Sequence, residues 1–438
     1  MQRIDFYQVY FGNIYLFTFL LFLIPLSLSF FVNKASPTKK FLDPAHFYIS
    51  FTFGSAYSIV FGLYILGYVG TDKFLLVLFY AVFLYLSLWC SLRIKGSFFN
   101  KLVKTFLIPK GSGNIEFKMA LASYAICALV VIIFVGFGFF AENNRFEQNK
   151  GFGVFVRILD GLRIFIIAYI TITVYKHKGS LSRRLLLMSF LTFFCFFSAI
   201  LNGAKFALLE SVYAVLLSIF CVNSRLKINV LKLALVAVSA VAFAVLAYSI
   251  NIKNNGLEFN QSQYIKSAPY VIEALFLRVL ANADKYFLSL PGDVIDLINI
   301  KPTILMLLSP LIGSSRLSQL LGYNISDFSI GKQILLYWNP NFEIAGGPTS
   351  HFDLFAYVHF GYVAGVLWVI FTGLLLGSIA KLKDRCGDNC FYISVFVLLW
   401  LRGLPILLEP PLGIAYLCDV FIFFSCFKFA GYLLKRNG

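Results

Sequence analysis

Residues 13–32 read NIYLFTFLLFLIPLSLSFFV, an apolar run without a charged side chain. A run of roughly 18–25 apolar residues coils into a helix long enough to cross about 30 Å of hydrocarbon. It is too long for the core of a signal peptide, and no small-residue cleavage site follows it, so it reads as a retained first span. Working outward, comparable runs recur at 46–70, 74–92, 119–140, 153–175, 185–203, 205–222, 230–250, 352–380, 391–408 and 412–433. The composition agrees. Of 438 residues, 60% are hydrophobic and 13% are charged, whereas an average soluble chain carries about 25% charged residues. The expectation is an all-α, polytopic transmembrane helix bundle of about 11–12 spans.

A formal net charge of +17 invites a nucleic-acid reading, and its distribution argues against one. Most of the Lys and Arg lie in the connections around 34–40, 93–118, 176–184, 225–232, 381–385 and 428–436, together with only Asp43, Glu116, Asp384 and Asp388 of the acids. Strict alternation of spans puts every one of these connections on one side, which is the positive-inside pattern. The C-terminus is then cytoplasmic, the N-terminus is outside, and no nucleic-acid partner is implied. The cysteines form no disulfide framework, and Cys386 and Cys390 have no third ligand nearby, so no metal site is read. There is no internal repeat or inverted symmetry of the transporter kind.

One connection differs from the rest. Residues 251–350 lie between the eighth and ninth runs, on the side away from the basic loops. A connection of this length in a compact protein is usually functional. Its apolar stretch 268–290 is interrupted by Glu273, Arg278, Asp284 and Lys285, which suits an interfacial helix over about 268–288 rather than a span. Shorter helices are predicted at 314–321 and 329–337, before a Gly346-Gly347-Pro348 turn. The chain thus divides into an N-terminal bundle at 1–250 with about eight spans, a large extracytoplasmic segment at 251–350, and about three C-terminal spans at 351–438.

Ionisable side chains inside a bilayer are costly and point to function. Here they gather at similar depth: Arg157, Asp160 and Arg163; Lys205 and Glu210; Arg402, Glu409 and Asp419. With Arg278, Arg316, His351 and Asp353 they could surround one polar cavity, or they could be internal ion pairs that hold helices together. Arg402 lies eight residues before Pro410 and Asp419 eight after Pro411, so the two are expected to reach one depth of a hairpin and pair. No GxxxxGK[ST], HExxH or GxSxG motif is present, and no soluble nucleotide-binding domain. No cofactor is therefore expected, and the energy source should be a pre-activated substrate already in the membrane. Arginine forks suit a lipid pyrophosphate.

The run Gly346-Gly347-Pro348-Thr349-Ser350-His351-Phe352-Asp353, followed by Ala356-Tyr357-Val358-His359-Phe360-Gly361-Tyr362-Val363-Ala364-Gly365, resembles the O-antigen polymerases. Gly203-Ala204-Lys205 resembles a Gly-x-Arg element of the same group and of the related O-antigen ligases, with lysine where arginine is common. Phe355 stands where an acid often precedes the Ala-Tyr pair, with Asp353 two residues earlier. The resemblance implies a multi-pass protein of the bacterial inner membrane, a metal-independent glycosyltransferase. It would transfer a growing glycan from undecaprenyl pyrophosphate to an incoming lipid-linked repeat unit. Membrane lipids, an undecaprenyl-pyrophosphate-linked oligosaccharide, a chain-length regulator and other polysaccharide assembly proteins would be its partners. Arg278 and Arg316, then Lys205 and Arg402, are candidates to bind the pyrophosphate. His351 or Asp353 is the candidate base, with Arg278 expected across one cavity from His351. Arg157, Asp160, Arg163, Glu210, Glu409 and Asp419 would support them. The competing readings are an O-antigen ligase acting on lipid A-core and, in another class, a flippase or transporter of lipid-linked glycan.

Overall fold

The computed structural model describes residues 5–94, 98–138, 151–176, 180–203, 205–223, 264, 269–342 and 347–437. Among these residues the chain is helical and has no strand. In chain order the helices are α1 (Phe6–Gly12), α2 (Ile14–Ala35), α3 (Gly54–Ile65, entered through the π-helical stretch His46–Phe53), α4 (Thr71–Arg93), α5 (Phe98–Phe106), α6 (Asn114–Phe134), α7 (Gly153–Lys176), α8 (Leu181–Asn202), α9 (Lys205–Val222), α10 (Tyr270–Leu280), α11 (Asp284–Ser289), α12 (Val294–Leu297), α13 (Thr303–Ile312), α14 (Ser314–Leu321), α15 (Ile330–Trp338), α16 (Phe352–Ala380), α17 (Cys390–Gly403) and α18 (Pro410–Asn437).

Eight of the described helical stretches are long and apolar enough to cross a membrane: α2, His46–Ile65, α4, α6, α8, α16, α17 with its 3-10 end, and α18. By length and composition this is a multi-pass helical bundle. Two further apolar runs are also helices. One is α7, which carries Arg157, Asp160 and Arg163 within its length, and the other is the shorter α9. The run at 230–250 lies outside the described residues.

Burial sorts the helices. In α17 every residue from Phe391 to Gly403 is buried, and the helix packs against α7, α9 and α18, so it forms the axis of the bundle. By contrast α2 and α8 present most of their apolar side chains outward, which is stable only where hydrocarbon replaces water. The most extensive helix packing among the described residues is that of α4 with α16. There Gly373 and Gly377 form a small-xxx-small stripe that lets the backbones touch. A Cβ on Gly377 would lie 2.7 Å from the carbonyl oxygen of Leu88. α16 is broken at Gly361, whose φ of 71° and ψ of −172° leave the helical region. The Tyr80 hydroxyl lies 2.8 Å from the Gly361 carbonyl and 3.0 Å from that of Tyr362, partnering groups freed by the break.

The basic connections among the described residues gather at one end. Lys383 donates to the carbonyl of Pro37 at 2.9 Å, Lys176 to that of Asp388 at 2.6 Å and Lys435 to the Glu116 carboxylate at 2.9 Å. The helices α10 to α15 lie at the opposite end, where Phe6 of α1 stacks on Phe287 at 4.0 Å between ring centroids. The single helix expected over 268–288 is two helices, α10 and α11, joined by the 3-10 turn Ala281–Ala283. The helices expected at 314–321 and 329–337 are α14 and α15, while α13 was not foreseen.

Candidate functional site

Six charged residues of α7, α9, α17 and α18 gather in one network. Arg163 of α7 and Arg402 of α17 both bind the Glu210 carboxylate of α9, the second at 3.1 Å. Arg402 also donates to the carbonyl of Asp160 at 3.0 Å. The Asp160 carboxylate lies 3.6 Å from Arg163 and accepts from Asn202 at 2.6 Å. Arg157, one helical turn before Asp160, binds Asp419 of α18. It also donates to the carbonyls of Pro310 and Leu311 at the C-terminal end of α13, where backbone acceptors lack helical partners. Arg163 and Arg402 are 1% and 3% exposed, so each guanidinium depends on these carboxylates for its charge. Arg402 and Asp419 do share a depth, lining one small cavity. The expected pair between them is not made. The Arg402 guanidinium lies 4.7 Å over the Tyr416 ring and turns to Glu210, leaving Asp419 to Arg157.

A second cluster surrounds His351. The side chain is wholly buried between α11, α16 and the π-helical stretch before α3, with its ring 4.5 Å from that of Phe53. Lys285 Nζ lies 3.1 Å from His351 Nε2, and the Tyr286 hydroxyl lies 3.0 Å from Nδ1. Tyr286 donates to the Asp353 carboxylate at 2.7 Å, and Tyr57 reaches the same oxygen at 3.2 Å. An ammonium only donates, so the consistent arrangement has Nε2 accepting from Lys285 and Nδ1–H donating to Tyr286. The other ammonium protons of Lys285 reach the Asn282 carbonyl at 2.7 Å and the Asp284 carboxylate at 3.1 Å. Burial, and then the Lys285 charge, hold the His351 pKa well below its usual value. Burial likewise lowers Lys285 and raises Tyr286.

His351 sits at φ 54°, an uncommon region for a residue with a Cβ. The backbone on either side explains how it is held. His351 N–H donates to the carbonyl of Leu408 at 2.8 Å, and Ser350 N–H donates to the Glu409 carboxylate at 2.9 Å. The two-residue clasp ties the start of α16 to the two residues before α18.

Glu409 opens onto the third feature, a cavity of about 1020 Å³. Its wall runs from Gly153 and Val154 of α7 through α13, α14 and the turn Ile325–Phe328 to Lys332, Glu409 and Pro411. The wall is mixed: six serines, Gln319, Asn324 and Asp327 accompany the exposed Arg316 among apolar side chains such as Met306 and Ile312. Lys332 is turned to the Phe342 carbonyl at 2.7 Å. Burial raises the Glu409 carboxyl, opposed by the Ser350 N–H and the Lys285 charge. The charged network touches this cavity, because Pro310, whose carbonyl Arg157 holds, is part of the wall.

The expected residues therefore fall into three places. Arg157, Asp160, Arg163, Glu210, Arg402 and Asp419 share the network, while Arg316 and Glu409 line the cavity. His351 and Asp353 form the buried cluster and do not reach the cavity wall. Arg278 is exposed on α10, and the cation against His351 is Lys285. Lys205 opens α9, and its side chain is outside the described residues. Lys285, Tyr286 and Tyr57 were missed. The signal was the charge that interrupts the apolar stretch 268–290, where the preference for an arginine fork favoured Arg278 over Lys285.

The depressed pKa of His351 has a measurable consequence. An unfolded histidine titrates near 6.5. Below that pH the unfolded chain binds a proton that the folded one does not, so this contribution to stability falls as pH falls, by about 1.4 kcal/mol per pH unit. Thermal unfolding of detergent-solubilised protein should show a smaller drop between pH 7 and 5.5 for His351→Gln than for the parent chain. Equal drops would mean that His351 is protonated in place. No protein-family model, curated protein or solved structure matches this chain.

Proposed function

We propose that this chain is a membrane glycosyltransferase of the O-antigen polymerase kind, transferring a glycan from undecaprenyl pyrophosphate to a lipid-linked repeat unit. The observation that carries this reading is the 1020 Å³ cavity at the end of the bundle opposite the basic loops, with Arg316 and Glu409 on its wall. Its size suits an oligosaccharide, and serines and amides on its wall supply donors and acceptors for sugar hydroxyls. Glu409 lines this cavity, and its carboxyl is raised by burial, which strengthens it as a proton acceptor, the role of a general base. It takes the proton of the acceptor hydroxyl, whose oxygen forms a bond to the anomeric carbon as the bond from that carbon to the pyrophosphate oxygen breaks. Arg316 stabilises the charge gathering on the leaving pyrophosphate. His351 and Asp353 become positioning residues in this account, because they lie behind Glu409 rather than against the substrate.

Deletion in the source strain, followed by a gel of surface polysaccharide, tests the reaction. A polymerase leaves core with a single repeat and no ladder. Complete loss of glycan on the core would instead support a ligase or a flippase. Orientation is tested separately. Cysteine at Asn341, an exposed position after α15, should react with a membrane-impermeant thiol reagent in intact spheroplasts. Reaction only after lysis would reverse the topology.

A further inference from the structure

A second cavity, of about 300 Å³, lies at the other end of the bundle and takes no part in the proposed reaction. Its walls come from the last turns of α2, the π-helical stretch before α3, and α4, with Trp400 of α17 as one wall. Val32, Ile49, Leu88 and Trp400 are buried there, whereas Phe31 and Trp89 are 55% and 39% exposed. The cavity therefore runs from the apolar flank of the bundle to its central helix. A pocket of this kind, opening between helices long enough to span a bilayer, is entered from hydrocarbon and not from water.

Its polar edge is basic. Lys34, in the last turn of α2, lines the cavity and lies 4.2 Å over the Phe30 ring. The guanidinium of Arg93, the last residue of α4, stacks 3.4 Å over Trp89, another wall residue. Lys383 reaches the Pro37 carbonyl at 2.9 Å on the same face. The nearby carboxylate, Asp43, is committed elsewhere: it is buried and accepts from Thr38 at 2.7 Å and from Trp400 Nε1 at 3.0 Å. Both Lys34 and Arg93 end a spanning helix, at the level where phospholipid headgroups meet water, and long basic side chains reach out to that level.

We propose that this crevice is a binding site for one anionic glycerophospholipid. One acyl chain lies along Ile49 and Leu88 towards Trp400, and the phosphate is held by Lys34 and Arg93. The apolar wall selects the chain, and the two cations select the charge of the headgroup. Each basic residue near an anionic lipid surface contributes about 1 kcal/mol, so the pair corresponds to roughly a 30-fold preference over a zwitterionic lipid.

The test uses full-length protein with Trp338→Phe and Trp368→Phe, which leaves Trp89 and Trp400 as the fluorophores. It is delipidated in detergent and titrated with phosphatidylglycerol or phosphatidylcholine carrying brominated acyl chains, which quench indole on contact. Quenching by phosphatidylglycerol at roughly 30-fold lower mole fraction, reduced to parity by Lys34→Gln with Arg93→Gln, is the expected result. Ala35→Leu, which narrows the opening without altering charge, should weaken quenching by both lipids. Equal quenching by the two lipids in the parent chain would overturn the site, as would a phosphatidylglycerol preference that survives loss of both cations.

Discussion

Glu210→Ala is expected to prevent accumulation of folded protein. Glu210 is the shared carboxylate of Arg163 and Arg402, which are all but fully buried. Removing one member of a buried ion network leaves the others charged in a poor solvent, at a cost of about 3–5 kcal/mol. That is a large share of the 5–15 kcal/mol by which folded domains typically outweigh unfolded ones. The measurement is monodisperse protein recovered after detergent extraction. A companion variant separates structure from chemistry. Arg163→Met, Glu210→Leu and Arg402→Met, combined with Asp160→Asn so that no carboxylate is left without its cations, remove the triad's charges in balance, and apolar replacement of a buried triad is often neutral or stabilising. The combined variant should recover folded protein. Activity in that recovered protein identifies the triad as scaffold, whereas folded and inactive protein places it in the reaction. Normal yield of Glu210→Ala alone would show that the guanidinium groups do not depend on this carboxylate.

Glu409→Gln should eliminate the polysaccharide ladder while the protein level stays unchanged. The amide keeps an oxygen to accept the Ser350 N–H, so the clasp beside His351 survives, but it cannot take a proton. Loss of a general base slows a transfer by about 100- to 10,000-fold, enough to reduce a ladder to single repeats. Arg316→Ala should give the same phenotype, and Arg316→Lys should rescue it only in part, since an ammonium lacks the planar fork for phosphate. Arg278→Ala is the control, because Arg278 is exposed on α10 and does not line the cavity. A full ladder from Glu409→Gln, or loss of the ladder from Arg278→Ala alone, would move the reaction away from the cavity and back to α10.

Much of this architecture is legible in one dimension. Hydrocarbon offers no partner for a peptide group, so an apolar run long enough to cross must satisfy its own hydrogen bonds as a helix. The runs at 13–32, 74–92, 185–203 and 391–408 accordingly coincide with α2, α4, α8 and α17 with its 3-10 end. The same physics gathered Arg157, Asp160, Arg163, Glu210, Arg402 and Asp419. A charge in a poor solvent needs a counter-charge at its own depth, and depth follows from counting residues along helices. The clustering of basic connections at one end is legible for the same reason.

Partners were not legible, because they depend on how each helix is rotated about its axis. Depth alone suggested Arg402 with Asp419, and helix rotation gave Arg402 to Glu210 and Asp419 to Arg157. The cation beside His351 was decided by a still more local event. Arg278 and Lys285 are seven residues apart and would share one face of an unbroken α-helix. The 3-10 turn Ala281–Ala283 winds more tightly than an α-helix, so that the face carrying Lys285 turns inward to His351 and Arg278 stays outside. The apolar runs by themselves determined the spanning helices and the common depth of the charges that those helices carry. Only the tertiary structure, through helix rotation and one tight turn, decided which charges meet and which residues line the cavity.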